Sequence, residues 1–412
     1  MCLGSGNIAG DSLELRNLVL DNGALTSMKA LCRQPFTESM CLATSSPQSA
    51  GKGEFVSMLR NLSWSLSNLC RFGKHREQHW RDLVQCLADL LRRSEALSAD
   101  EADRSAEGLG ANIGWSFCYL TNDMNSERDT VPLLDAMKRL QATSLLIALL
   151  GSANPFTVHS TMRAVGNVLT GNDRYTAHCI DCGVLQRLNA LMHRFYAQSV
   201  NHEKLKEICW AISNVTAGPT EQIVKVIEAQ FVPILMSVLK GSRTVIAAEA
   251  LWAVSNATAS ANERVMSYLV GHGLIEGLCQ FLRNKFGAAS YHRSSEKLLM
   301  ATLECIDHIL SSDKAHADRF EECGGVDFLE FLQSEDAVSQ SLYDFAVRLI
   351  TTHFDGEQDG DDDDIATNNS NSNNTNCNTK DTANGDGAHF SFGVNLQQSQ
   401  LGGNSNHNQF EF

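Results

Sequence analysis

The segment "EICWAISNVTAG" at residues 207–218 carries the pattern from which the fold of this chain can be predicted. It spaces Glu207, Trp210 and Asn214 three and four residues apart, which places all three side chains on one face of a helix. An ordinary core-facing stripe would carry Leu and Ile at such positions. The pattern returns in "EALWAVSNATAS" (249–260), with Glu249, Trp252 and Asn256.

Asparagine, or a residue standing in for it, closes a helical segment at regular intervals along the chain. Asn167 and Asn214 are 47 residues apart, and Asn214 and Asn256 are 42 apart. The full series is Asn7, Asn68, Tyr119, Asn167, Asn214, Asn256 and His308. A repeat of this period, with three helices in each unit, predicts an all-α armadillo-type right-handed superhelical solenoid of about eight units over residues 1–354, the first incomplete.

Turn residues separate the first two helices of each unit. Gly23, Gly183, Gly273 and Gly324 stand where one helix has to stop before the next begins. Pro233 suits the first turn of a second helix, where its missing N–H costs nothing. Polar insertions near 41–53, 94–107 and 195–203 are predicted to be loops. Residues 355–412, acidic and rich in Asn, Gly and Gln, are predicted to be disordered.

Composition excludes several classes of function. The net charge is −15, so the chain lacks the basic surface of a general nucleic-acid binder. No apolar run approaches the ~20 residues of a membrane helix, and no secretory signal is visible. The 13 cysteines are scattered through apolar stretches and predict reduced core thiols, including the pair in "HCIDC" (178–182). We find no nucleophile–base constellation, metal cluster or phosphate loop, so we expect neither an enzyme nor a cofactor.

The chemistry of the repeated pattern suits an extended basic peptide. Asn offers both a donor and an acceptor to a foreign backbone. Neighbouring indoles attract Lys or Arg at roughly 0.5–2 kcal/mol per cation–π contact, and a nearby Glu can hold the charged end. A single Trp-x-x-x-Asn is more often core plus a local hydrogen bond, but its recurrence at the repeat period favours a binding surface. The recurring pairs are Trp64/Asn68, Trp210/Asn214 and Trp252/Asn256.

At these residues the chain resembles the importin-α (karyopherin-α) family of nuclear import adaptors over roughly residues 2–354. The motifs that carry the resemblance are "LRNLSWSLSNLCR", "RAVGNVLTGND", "CWAISNVTAG" and "LWAVSNATAS". The resemblance implies binding of cargo proteins that carry basic nuclear localisation signals, in both the cytoplasm and the nucleus.

In that family two stretches of the surface bind basic clusters, and the resemblance implies that the minor site is complete here. Its predicted residues are Arg163, Asn167, Asp173, Glu207, Trp210, Asn214, Glu249, Trp252 and Asn256. Arg163 stands where other repeats have Trp and separates the two sites in the family, while Asp173 and Glu249 would supply negative charge.

The major site is predicted to be partial. Its matching residues are Asn7, Asp11, Trp64, Asn68, Trp115 and Tyr119. Leu3 stands where the family has Trp, and the repeat that would complete the pocket around Asp11 is expected to be missing, together with the basic segment that binds importin-β. Contact of an export receptor with the C-terminal repeats is possible by resemblance. The alternative function is a catenin-like armadillo scaffold for signalling or adhesion, which would favour acidic partners.

Overall fold

The computed structural model describes residues 2–33, 48–72, 77–98, 106–122, 127–198, 202–287, 296–334 and 338–354. Within these ranges the chain is helical and contains no strand.

Its helices fall into three positions of a repeating unit. The first helices are α2 Leu13–Asp21, α7 Glu127–Arg139, α10 Asp173–Asp181, α13 Thr220–Glu228, α16 Glu263–Gly271 and α19 Ala315–Glu322. The second helices are α3 Ala24–Arg33, α5 Glu77–Ser98, α8 Ala142–Ala148 (followed by a 3₁₀ turn, Leu149–Gly151), α11 Val184–Gln198, α14 Val232–Lys240, α17 Leu274–Phe286 and α20 Gly325–Ser334. The third helices are α1 Cys2–Asp11, α4 Gln48–Cys70, α6 Ala106–Thr121, α9 Pro155–Leu169, α12 His202–Thr216, α15 Thr244–Ala259, α18 Glu296–Ser312 and α21 Gln340–His353.

The turns between first and second helices lie where the sequence predicts them. Gly23, Gly183, Gly273 and Gly324 all adopt left-handed φ values, between 72° and 87°. Such a conformation closes a helix at little cost only when the residue has no Cβ. Pro233 occupies the first turn of α14, as predicted.

Two units make the same turn without glycine. Gln141 and Gln230 have φ values of 58° and 62°, which is the left-handed region for residues that carry a Cβ. Glycine does not mark these two turns, although Pro233 correctly predicts the start of the second helix that follows Gln230.

The three predicted insertion loops are shorter than expected. The helix α4 begins at Gln48, inside the predicted 41–53 loop, and α5 continues to Ser98, inside the predicted 94–107 loop. Similarly, α11 reaches Gln198 before α12 starts at His202. Polar residues with adequate helix propensity extend a helix beyond its core contacts, so polarity alone predicted loops that are too long. The predicted tail, 355–412, lies outside the described residues.

Consecutive third helices pack directly on one another through the array, including α4 on α6, α6 on α9 and α12 on α15. Close approach requires small residues at the contact. An ideal Cβ on Gly166 of α9 would overlap the indole of Trp210 on α12, and one on Gly6 of α1 would lie 2.8 Å from the Trp64 ring of α4. Trp64 and Trp210 thus each rest on a glycine of the preceding unit.

The core is continuous across these contacts and is built mainly from Leu, Ile, Val and Phe. Leu59, Leu62 and Leu66 of α4 are fully buried, as are Ile208 and Ile212 of α12. In both helices the buried stripe lies beside the half-buried tryptophan rather than including it. The apolar stripe and the Trp/Asn face are therefore two different faces of the same helix.

Cysteines contribute to packing, as the sequence predicts. Cys179 is buried and Cys182 is half-buried, and burial raises the pKa of both thiols, which keeps them protonated. In the described part of the chain, no group of three or more His, Cys, Asp or Glu residues is arranged to hold a metal ion.

Among the described residues, no single helix is both long and apolar enough to cross a membrane, although two bent helix pairs, α13 with α14 and α16 with α17, reach that threshold together by length and composition.

The contact between Gly166 and Trp210 generates a stability prediction. Gly166→Ala should lower the free energy of unfolding by about 1–3 kcal/mol, because the added methyl group has to displace the packed indole. Urea denaturation followed by circular dichroism measures this, and tryptophan fluorescence reports the displaced ring.

Gly271→Ala is the matched control, because nothing lies within 4 Å of its added Cβ at the end of α16. We expect it to be neutral, or more stable by up to about 1 kcal/mol. Equal stability of the two variants, with unchanged fluorescence, would contradict the proposed packing of the indole.

Candidate peptide-binding surface

We call the exposed face of the third helices that carries the repeated pairs the Trp/Asn strip. Its tryptophans are Trp64 on α4, Trp115 on α6, Trp210 on α12 and Trp252 on α15. All four are half-buried. An indole in this state is held in place by the neighbouring helix and still presents part of its surface outward, which is what a stacking platform needs.

The strip asparagines bridge adjacent units. Each donates its side-chain amide to a main-chain carbonyl on the preceding third helix. The bonds run from Asn68 Nδ2 to Gly6 O (3.1 Å), Asn167 Nδ2 to Cys118 O (3.2 Å), Asn214 Nδ2 to Gly166 O (3.5 Å) and Asn256 Nδ2 to Ser213 O (2.9 Å). Because a carbonyl can only accept, these bonds fix which way the carboxamide points.

This fixed orientation determines what each asparagine can offer a ligand. One N–H is used within the protein, while Oδ1 and the second N–H can bind a peptide backbone. Asn167 differs because its Nδ2 also donates to Thr121 Oγ1 at 3.1 Å, and the residue is only 8% exposed. Asn167 therefore contributes more to the contact between α6 and α9 than Asn214 contributes to the contact between α9 and α12, or Asn256 to the contact between α12 and α15.

Arg163 occupies the centre of the strip. Its guanidinium lies over the Trp210 ring, 5.4 Å from the ring centroid. Its Nη1 donates to both carboxylate oxygens of Glu207, at 2.8 and 3.0 Å. Arg163 thus places a cation of the protein itself on one face of the indole and neutralises the Glu207 carboxylate.

Trp115 and Tyr119 form the next section of the strip. Their rings stack with centroids 6.1 Å apart, and His159 of α9 meets the Trp115 ring edge-on at 5.6 Å. Burial lowers the pKa of His159 and raises that of Tyr119, so both remain neutral at physiological pH. This section presents an aromatic cluster with no charge of its own.

Glu249 lies three residues before Trp252 and is half-buried. Burial raises the pKa of its carboxyl, opposed by the nearby Lys206 and reinforced by Glu207. Burial disfavours the ionised form of this carboxyl group. A ligand cation bound next to it would stabilise that form.

The remaining predicted site residues lie at the edges of this surface. Asn7 and Asp11 are exposed on α1, and Leu3, at the strip's Trp position, is 49% exposed. Asp173 is the first residue of α10, and its main-chain carbonyl accepts a hydrogen bond from Gln222 Nε2 at 3.0 Å. Beyond Asn256, His308 is exposed at the asparagine position of α18.

Sequence reasoning missed the residues that support the strip rather than form it. Gly6 and Gly166 make room for the indoles of the following unit, and His159 packs against Trp115. The signal was available in part, because Gly6 and Gly166 each stand directly before a strip asparagine. Nothing in the sequence pattern singles out His159.

Two family models match the chain. An armadillo/beta-catenin-like repeat matches residues 219–259, and an atypical Arm repeat matches residues 314–368. Among solved structures, a computationally designed armadillo repeat protein aligns with a TM-score of 0.52 and 22% identity, over 64% of this chain and 98% of its own. An engineered protein aligns with a TM-score of 0.57 and 17% identity, over 84% and 82%. The chain is an all-α armadillo-repeat solenoid, as predicted.

Proteins of similar sequence indicate which kind of armadillo-repeat protein this chain resembles. Importin subunit alpha-3 of Arabidopsis thaliana is 30% identical over 84% of this chain and 59% of its own length, and importin subunit alpha-4 of the same plant is 30% identical over 74% and 53%. Importin subunit alpha-1b of Oryza sativa subsp. japonica is 29% identical over 86% and 59%. The chain spans less than two thirds of the length of these relatives. It is an importin-α-like armadillo protein, which confirms the resemblance drawn from the sequence.

The Arg163–Glu207 pair predicts a gain of peptide affinity on mutation. Arg163→Gln removes the internal cation from Trp210 and leaves Glu207 uncompensated. Affinity for a Lys/Arg-rich peptide should rise about three- to tenfold, consistent with one additional partly screened charge. The free energy of unfolding should fall by about 1–3 kcal/mol, because the pair is largely buried.

Isothermal titration calorimetry and thermal melting measure the two effects. Arg174→Gln is the control, since Arg174 pairs with Asp135 at 2.8 Å on exposed surface and the change in net charge is identical. A loss of peptide affinity in Arg163→Gln alone would mean that Arg163 assists the peptide rather than competing with it.

The raised pKa of Glu249 predicts a pH dependence. A bound cation favours the ionised carboxylate, so peptide affinity should increase as the pH rises through the raised pKa of the free protein. The effect on stability has the opposite sign: with a raised carboxyl pKa, the folded state is favoured at low pH, and that contribution is lost as the pH rises through the folded-state value.

Fluorescence anisotropy with a His-free Lys/Arg peptide, from acidic to neutral pH, tests this assignment. Glu249→Gln should flatten the pH profile and lower the affinity at neutral pH by about fivefold, the effect of a roughly 1 kcal/mol ion pair. Glu330→Gln, an exposed carboxylate on α20, serves as control. An unchanged slope in Glu249→Gln would assign the titration to another group.

Proposed function

We propose that this chain is a nuclear import adaptor that binds Lys/Arg-rich nuclear localisation signals along the Trp/Asn strip. The observation that carries the proposal is the ladder of asparagine amides that bridge successive third helices, each beside a half-buried indole. The names of the importin-α relatives supply the second support.

The peptide backbone would lie along the asparagines. Third helices packed at roughly 10 Å separation match about three residues of an extended chain at ~3.3 Å each. Asn214 and Asn256 would each offer Oδ1 to a peptide N–H, because one amide hydrogen of each already binds the preceding helix. Their fixed orientation reduces the entropy cost of binding.

The basic side chains would lie between the indoles. A Lys or Arg stem seated between Trp210 and Trp252 would contact both rings, while its charged end meets Glu249. Arg163 sets the boundary of this minor site, because it already covers one face of Trp210. A ligand cation would therefore use the side of Trp210 that faces Trp252.

The section near α4 and α6 would form the partial major site. Asn68, Trp64, Trp115 and Tyr119 provide the same kind of surface there. Asn7 and Asp11 would extend it onto α1, and Asp173 would add negative charge to the minor site. We assign the stronger binding to the minor section, where Glu249 accompanies two indoles.

As an adaptor the protein would act by binding and not by catalysis, and would pass between the cytoplasm and the nucleus with its cargo. An export receptor would contact the C-terminal repeats.

A peptide titration tests the proposal. Trp210→Ala with Trp252→Ala should weaken the binding of a Lys/Arg-rich peptide about tenfold or more, because two cation–π contacts are lost. Fluorescence anisotropy with monopartite and bipartite basic peptides measures the loss. Trp80→Ala, which truncates a half-buried indole on α5 outside the strip, controls for destabilisation.

An affinity for basic peptides that is unchanged in the double variant would refute the assignment. Preference of the wild-type protein for an acidic peptide of equal length would instead indicate a catenin-like scaffold.

A further inference from the structure

A cleft of about 500 Å³ lies between the C-terminal ends of α15 and α18, where the next first helices α16 and α19 begin. It is lined mainly by polar groups. The residues that the argument uses are Thr258, Asn262, Glu263, His308, Asp313 and His316.

The cleft continues the Trp/Asn strip in the register of the repeat. Thr258 and Asn262 follow Asn256 by two and six residues, at the end of the same helix and the start of the next. His308 occupies the asparagine position of α18, the following third helix. A peptide that runs along Asn214 and Asn256 would therefore reach this cleft one unit further on.

The lining of the cleft is rich in acceptors. Glu263 and Asp313 contribute carboxylates, and no Lys or Arg is among the described residues that line it. The negative dipole ends of α15 and α18 are offset by the positive ends of α16 and α19, which begin at the same cleft, so its negative charge comes from the two carboxylates. His316 Nδ1 lies 3.0 Å from the Ile309 carbonyl, which places the proton on Nδ1 and leaves Nε2 as an acceptor in the neutral ring.

An indole platform is missing at this unit. The position four residues before His308 is Glu304, where the strip elsewhere has Trp. A side chain bound here would be held by charge and hydrogen bonds rather than by stacking. That chemistry fits the compact ammonium group of lysine, which needs no planar partner.

We propose that this cleft binds an additional cationic side chain of a peptide seated on the Trp/Asn strip, a lysine about three residues away from the basic residue that contacts Trp252. The spacing follows from roughly 10 Å between units and ~3.3 Å per extended residue. The inference rests on the proposed function and adds a site with its own specificity.

A scan of lysine position tests the site. Peptides carry one basic pair and a single extra lysine placed one to six residues away on either side, with norleucine as the neutral counterpart. One spacing near three residues should raise affinity about two- to fivefold over norleucine, the effect of an exposed ion pair. This gain in affinity of the lysine peptide over the norleucine peptide, called the increment below, should disappear in the double variant Glu263→Gln with Asp313→Asn.

Glu322→Gln with Glu330→Gln removes the same charge from exposed positions outside the cleft and should retain the increment. His308→Lys, at an exposed position where folding should be retained, should abolish the increment by placing a cation at the cleft. Thermal melting of each variant verifies that it is folded.

The outcomes separate the two proposals. If the wild-type protein binds the basic pair but no lysine position improves affinity, the cleft assignment fails and the adaptor function stands. An increment that survives in Glu263→Gln with Asp313→Asn would also overturn it. If the basic pair itself does not bind, the proposed function fails and the inference falls with it.

Discussion

The close stacking of one third helix on the next is the constraint from which the other features of this protein follow. Each unit exposes an apolar stripe that only its neighbours can bury, so stability depends on contacts between units. At Gly6 and Gly166 the absence of a side chain lets the indole of the following unit pack against the backbone. The same contact holds each of these two rings in place while leaving it half-buried.

Hydrogen bonds between units use the same geometry. The amides of Asn68, Asn214 and Asn256 each meet a carbonyl of the preceding third helix. These residues therefore join adjacent units and orient a row of acceptors outward at the same time. Stability and ligand binding rest on the same side chains here, so substitutions in the strip have to be tested for folding as well as for affinity.

Charge divides the surface into sections. Arg163 neutralises Glu207 and covers one side of Trp210, while Glu249 remains partly buried beside Trp252 with a raised pKa. Glu249, near α12's Lys206, and the carboxylates of Glu263 and Asp313 at the cleft lie on the other side of Trp210 from this internal ion pair along the chain. A net charge alone would not reveal this distribution, because it arises from which helix faces meet.

The repeat, the three-helix unit, the positions of the glycine turns and the row of Trp and Asn residues could be predicted from the sequence, because each depends on local spacing along the chain. The sequence pattern misplaced the insertion loops and passed over the left-handed Gln141 and Gln230, since their conformations are imposed by the packing of neighbouring helices. The packing of the units, and not the sequence pattern, shows that Arg163 pairs with Glu207, 44 residues away, that His159 meets Trp115, and that Asn167 is largely buried. These are contacts between units, and a periodic pattern specifies which residues share a face without specifying which side chain of the next unit each one meets.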